Sequence, residues 1–202
     1  MVWGIFHEIG RKIIHVTILI VLAAYFFIQN YLIDAGRTPI LAKQVALLFL
    51  VALLIGFLIL EYLRLELNWK ITFFYMFIRK KEQDRMYGVV YFLAATIISL
   101  AVFDYRIALA ALLMTTFGDI VAAVIGKRYG TTLIYRNKTW AGFLSELATN
   151  LMVGFLILNN IYIILGMAFI ATIVETLVDE LDDNLLIPLF SGFVGQFIFF
   201  SL

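Results

Sequence analysis

The chain has no cysteine, so disulfides and thiolate metal sites are excluded and the redox compartment cannot be read from it. Proline is nearly absent, with only 2 residues, and histidine is as scarce, also with 2. Charged residues make up only 14% of the chain. The formal net charge is +1, so nucleic acid is not a natural partner. The apolar content is the opposite extreme. Hydrophobic residues account for 64% of the 202 positions, and mean hydropathy is +1.02. A soluble domain is closer to half apolar. A water-facing core cannot hide this much apolar surface, so lipid must solvate much of it. The N-terminal stretch carries His7, Glu8, Arg11 and Lys12, and no small-residue cleavage pattern follows it. It is not expected to be a cleavable signal.

A membrane-crossing helix needs about 20 mostly apolar residues. Seven candidate spans follow: Ile13–Tyr31, Val45–Leu63, Tyr87–Phe103, Ile107–Ile125, Trp140–Leu158, Ile161–Val178 and Leu185–Leu202. Asp104-Tyr105-Arg106 and Asn159-Asn160 predict tight helical hairpins. No strand alternation, repeat or linker is visible. The expected fold is therefore all-α, a polytopic transmembrane helical bundle forming one domain over residues 1–202.

Basic residues favour the cytoplasmic side of a membrane. With the N-terminus inside, 12 of the 15 Lys and Arg residues face the cytoplasm, all but Arg37, Lys43 and Arg106. Seven spans then place the C-terminus outside. The segment Arg64–Met86 interleaves bases with Trp69, Phe73, Phe74 and Phe77. It is expected to hold a helix in the membrane interface, most simply as a basic anchor.

Ionisable groups inside spans are costly and usually mark function. Asp119 lies within the fourth span, in Thr115-Thr116-Phe117-Gly118-Asp119. Glu146 lies about two turns into the fifth. Glu175 lies in the sixth, with Asp179 four residues on along the same helix face. Asp182, Asp183, Asn184 and Pro188 follow. The topology places all of them on or near the cytoplasmic side, together with His7, Glu8, Arg11, Lys12 and His15.

Carboxylates and bases gathered at one membrane face fit chemistry on a polyphosphate. Hard carboxylate oxygens hold magnesium, and magnesium bridges phosphate oxygens. Lys and Arg neutralise the remaining charge. The run from Gly118-Asp119 through Gly126-Lys127-Arg128-Tyr129-Gly130 to Lys138-Thr139-Trp140-Ala141-Gly142 suits this, because its glycines permit close approach to phosphate and its bases flank them. It is not a Walker-type loop. Plainer readings stand beside this one. Asp119 and Glu146 could each pair with a base, and His15 could be a packing residue. The acids from Asp179 to Asp183 could form a solvated loop. Gly118, Gly126 and Gly142 could serve close helix packing.

Four segments in order carry a resemblance. Glu8-Ile9-Gly10-Arg11-Lys12-Ile13-Ile14-His15 is similar to E-x-x-R-K-x-x-H. Gly118-Asp119 through Gly126 to Gly130 is similar to G-D-x-x-A-x-x-x-G-x-x-x-G. Asn137-Lys138-Thr139-Trp140-Ala141-Gly142 is similar to K-[ST]-W-x-G. Glu175 through Asp182-Asp183-Asn184 to Pro188 is similar to E-…-D-D-N-x-x-x-P. These resemble the CTP-dependent polyprenol kinase family, which includes dolichol kinases, phytol kinases and the yeast-type diacylglycerol kinase. The short phytol-kinase-like prokaryotic branch is the closer likeness. Phe143 departs from the family's small serine.

The resemblance implies a kinase that moves the γ-phosphate of CTP to a membrane isoprenoid alcohol, such as geranylgeraniol, phytol or a longer polyprenol. Diacylglycerol is a further acceptor. It implies magnesium at Asp119 and Asp183, then Asp179, with Glu175 and His15 also catalytic. Arg11, Lys12, Gly118, Gly126, Lys127, Arg128, Lys138, Thr139, Gly142 and Asn184 would bind the nucleotide. The implied setting is an integral membrane protein, in the cell membrane if the source is prokaryotic, with a cytoplasmic active site. The alternatives are a CTP:lipid cytidylyltransferase, which makes a CDP-lipid, and a small transporter using buried acids as a relay.

Overall fold

A computed structural model of the protein describes residues 2–67, 85–178 and 181–202; for residues 2–17 it describes the backbone alone. Seven helices occur among the described residues: α1 (Val2–Asp34), α2 (Pro39–Leu65), α3 (Gly88–Val102), α4 (Tyr105–Tyr129), α5 (Trp140–Ile157), α6 (Ile161–Leu177) and α7 (Asp183–Ser201). A helix covers the body of each expected span, and the all-α fold is as the apolar runs predict. The expected interfacial helix falls mostly on 68–84, outside the described residues.

Helices α2, α4, α5 and α7 are long and apolar enough to cross a membrane. The apolar stretches Ile18–Asp34, Gly88–Val102 and Ile161–Leu177 are shorter. Large apolar side chains such as Phe155, Leu156, Phe193 and Phe200 point outward, as suits surface solvated by lipid. The protein is an integral membrane protein.

The helix ends follow from local chemistry. Gly36 takes φ 79° just after α1, a backbone that glycine adopts without penalty. Thr38 then caps α2, its hydroxyl accepting from the Leu41 N–H (3.4 Å), with Pro39 in the first turn. Asp104 caps α4 by accepting from the Arg106 N–H (3.0 Å), and Asn160 caps α6 by accepting from the Tyr162 N–H (2.9 Å). The tight turn read at Asn159-Asn160 joins two helices that pack on each other, α5 and α6; at Asp104 the structure shows the cap of α4.

The chain divides into two compact units, 1–97 and 98–202. In the first, α1 packs on α2. The buried stripe of α2 is Ala42, Ala46 and Leu50, spaced one turn apart. At the far end of α2, Glu61 and Arg64 together hold the backbone at Arg85 and Tyr87. Arg64 donates from Nε to Glu61 Oε1 (3.0 Å) and from Nη2 to Oε2 (2.6 Å). The Tyr87 N–H donates to the same Oε2 (3.2 Å), and Arg64 also donates to the Arg85 carbonyl (2.7 Å).

In the second unit, α4 packs against α5, α6 and α7, and α5–α6 and α6–α7 are neighbours. Small residues let these helices approach. Phe103 fills the space beside Gly192, and Met167 that beside Gly195. Buried hydroxyls of Thr115, Thr116, Thr172, Thr176 and Ser191 donate to carbonyls one turn back, so they are satisfied without water. Connectivity brings the end of α4, the start of α5, the end of α6 and the start of α7 to one end of this unit. A short antiparallel hairpin, β1 (Leu133–Tyr135) with β2 (Lys138–Thr139), joins α4 to α5. Nothing in the apolar pattern announces it. Arg136 at its tip takes φ 46°, a left-handed backbone that costs about 1 kcal/mol outside glycine.

Candidate active site

Three carboxylates from three helices converge in the second unit. Asp119 of α4, Glu175 of α6 and Asp183 of α7 each place an oxygen within 4.8 Å of the other two. Asp119 and Glu175 are only 6% and 3% exposed, and Asp183 is half-buried. Asp119 lies ten residues before the end of α4, Glu175 in the last turn of α6 and Asp183 in the first turn of α7. The N-terminal turn of α7 favours a carboxylate there, because the unpaired N–H groups of a helix start carry partial positive charge. Asn184 keeps this turn in place. Its N–H donates to Asp182 Oδ1 (3.0 Å) and Asp183 Oδ1 (3.1 Å), and its Nδ2 donates to Asp182 Oδ1 (2.8 Å). Pro188, four residues on, has no N–H to offer the Asn184 carbonyl.

Lys138 enters from the hairpin. Its ammonium donates to Glu175 Oε1 and makes an ion pair with it. Burial alone would lower the Lys138 pKa, but the negative charges of Glu175, Asp183 and Asp119 outweigh it and hold the group above its usual range. A raised folded value means that this contact stabilises fully below the ordinary lysine range near pH ~10. It is lost only as pH rises through the raised value.

The glycines seat this hairpin. A Cβ on Gly126 or Gly142 would meet Thr139 Oγ1 at 3.2 and 3.3 Å, and one on Gly130 would strike Thr139 harder still. The Thr139 hydroxyl is used as the cap of α5, accepting from the Gly142 N–H (3.2 Å). These residues therefore hold β2 against α4 and set the position of Lys138. Gly118 clears room for the Asn150 side chain, whose Oδ1 would lie 2.7 Å from an added Cβ.

The structure brings together Asp119, Glu175, Asp183 and Lys138, which sequence reasoning had named from three separate segments. Lys127 and Arg128 lie further along α4 than Asp119. Both are exposed in the last turn of α4, and Lys127 lies about 12 Å further along the helix axis than Asp119. Arg128 stacks on the Tyr129 ring at 5.5 Å. Asp179 and the side chains of Arg11, Lys12 and His15 lie outside the described residues. Glu146 was noted in the sequence but not placed in the site. It is 3% exposed and lies close enough to feel the charges of Glu175, Lys138 and Asp119. Its two-turn offset from Thr139 was the available signal.

The donor set suits a hard divalent cation. All three ligands are carboxylate oxygens, and Glu175 Oε2 is buried with no hydrogen-bond partner among the described residues. Such an oxygen is costly unless something coordinates or hydrogen-bonds it. Magnesium takes oxygen donors and keeps positions for water and phosphate.

Comparison with known proteins finds relatives of this chain. The CTP-dependent diacylglycerol kinase 1 of Saccharomyces cerevisiae is 35% identical over 146 residues, covering 67% of this chain and 45% of the yeast protein. The chain belongs to the CTP-dependent polyprenol and lipid kinase family. A probable chloroplastic phytol kinase of Zea mays is 30% identical over 141 residues, or 60% of this chain and 46% of that protein. An uncharacterized protein of Methanocaldococcus jannaschii is 30% identical over 118 residues, or 57% of this chain and 61% of its own. The chain spans less than half the length of the yeast and maize relatives. No family model and no solved structure matches it.

Proposed function

We propose that this protein transfers the γ-phosphate of CTP to the hydroxyl of a membrane lipid alcohol, giving the lipid monophosphate and CDP. The observation that carries the reading is the meeting of Asp119, Glu175 and Asp183 with Lys138 inside an apolar bundle. Phosphoryl transfer needs positioning and charge neutralisation more than covalent chemistry, and these four groups supply both. Asp119, Glu175 and Asp183 would hold magnesium. When bound, the metal would neutralise charge on the phosphate oxygens. Lys138, on the hairpin beside the triad, would bind phosphate as a mobile point charge. A carboxylate within reach of the acceptor hydroxyl would take its proton. CTP as donor is supported by the yeast relative's name.

The lead acceptor is an isoprenoid alcohol, in keeping with the phytol kinase relative. The yeast diacylglycerol kinase relative favours diacylglycerol as a second reading. The distribution of Lys and Arg supports an active site on the cytoplasmic side. The test incubates purified protein with magnesium, γ-labelled CTP and, separately, phytol, geranylgeraniol, a polyprenol and diacylglycerol. Label in one or more lipid products is expected. No labelled lipid from any member of the panel contradicts the reading.

A further inference from the structure

Lys138 reaches the triad from an element that none of the three carboxylates belongs to. Its contact with Glu175 uses Oε1 only, while Oε2 stays buried and unpartnered among the described residues. Asp119 and Asp183 oxygens lie within 4.8 Å of Glu175, so three potential negative charges share one small volume. Such a group repels itself unless cations stand among it. The ammonium is one such cation, and a divalent ion would compete with it for the charge of the same carboxylates. Lys138 is also built to leave. Its side chain remains 38% exposed, it ends a flexible four-carbon stem, and it sits on a short hairpin rather than within a helix.

We propose that Lys138 is an exchangeable counter-ion of the triad. It holds Glu175 when no divalent cation is bound, and it gives up that contact when the cation arrives, freeing its ammonium for the phosphates of the nucleotide. The proposal rests on the reading that the triad binds a divalent cation. A fixed structural salt bridge would instead keep Lys138 on Glu175 whether or not metal is bound. The two behaviours differ in sign. Removing an exchangeable competitor tightens metal binding, whereas removing a structural strut loosens the site and weakens it.

The experiment uses the full chain in nanodiscs without nucleotide or lipid substrate, and the probe is magnesium alone. Calorimetric titration compares the protein with Lys138→Gln. The variant is expected to bind magnesium about tenfold more tightly, as loss of one competing charge implies. Equal or weaker binding overturns the proposal. A second measurement on the unaltered protein stands if the variant does not fold. The rate at which an amine-acylating reagent modifies Lys138, read by mass spectrometry, should rise several-fold on adding magnesium. An unchanged rate while magnesium demonstrably binds rejects the exchange and leaves the metal site intact. If magnesium does not bind the unaltered protein at all, the metal reading itself fails.

Discussion

At the scale of single residues, the account turns on charge held where lipid would not tolerate it. Asp119→Asn keeps the size of the side chain and removes its charge, and Asp183→Asn does the same at the start of α7. Each should fold, because neither change opens a cavity. Each should lose at least ~100-fold in rate, on the order of 3 kcal/mol in barrier, if it helps neutralise the transferred phosphate. Lipid phosphorylation and thermal stability, measured together, check this. Near-normal turnover in a well-folded variant would remove that residue from the site. Asp119 and Glu175 were legible in the sequence as acids inside apolar runs, and Asp183 through the Asp182-Asp183-Asn184 segment. An acid in an apolar run is costly, so its presence is informative. The choice among the bases was not legible. Lys127, Arg128 and Lys138 look alike in one dimension, and only the hairpin reveals that Lys138 reaches the triad while Arg128 lies against Tyr129.

At the scale of elements, the helices were readable because each apolar run approaches the length needed to cross a bilayer. The β1–β2 hairpin was not, since its five strand residues are too few to show alternation. The motif glycines carried a signal that sequence alone leaves open between phosphate contact and packing. Gly126, Gly130 and Gly142 pack around Thr139, and Gly118 lies beside Asn150. Gly130→Ala should therefore push β2 off α4 and cost about 1–3 kcal/mol of stability, as overfilling a packed site does. Gly56→Ala, with nothing within 4 Å of its added carbon, should be neutral or slightly stabilising. Thermal unfolding of the two variants side by side tests the contrast, and equal effects would refute it. The Glu61–Arg64 clasp was also missed. Arg64 looked like the start of a basic aromatic interface segment, and the bridge that it and Glu61 make to Arg85 and Tyr87 depends on a contact across more than twenty residues. Glu61→Gln should cost on the order of 2–4 kcal/mol, because it leaves Arg64 without its partner carboxylate. Adding Arg64→Met should recover part of that loss. A double variant no more stable than Glu61→Gln alone would argue against the clasp.

At the scale of the whole molecule, the distribution of bases predicts an orientation. Twelve of 15 Lys and Arg residues fall on one side of a seven-span alternation, so the N-terminus and the site should face the cytoplasm. A reporter fused after Leu202 should be reachable only from outside. Cytoplasmic access there would overturn the topology. The chemistry itself is tested most directly by following the two ends of the triphosphate separately. CTP labelled at the γ-phosphorus should deliver its label to the lipid, with CDP left in solution. CTP labelled at the α-phosphorus should leave the lipid unlabelled. Lipid labelled from the α position, with pyrophosphate released, would show a cytidylyltransferase and contradict the kinase assignment.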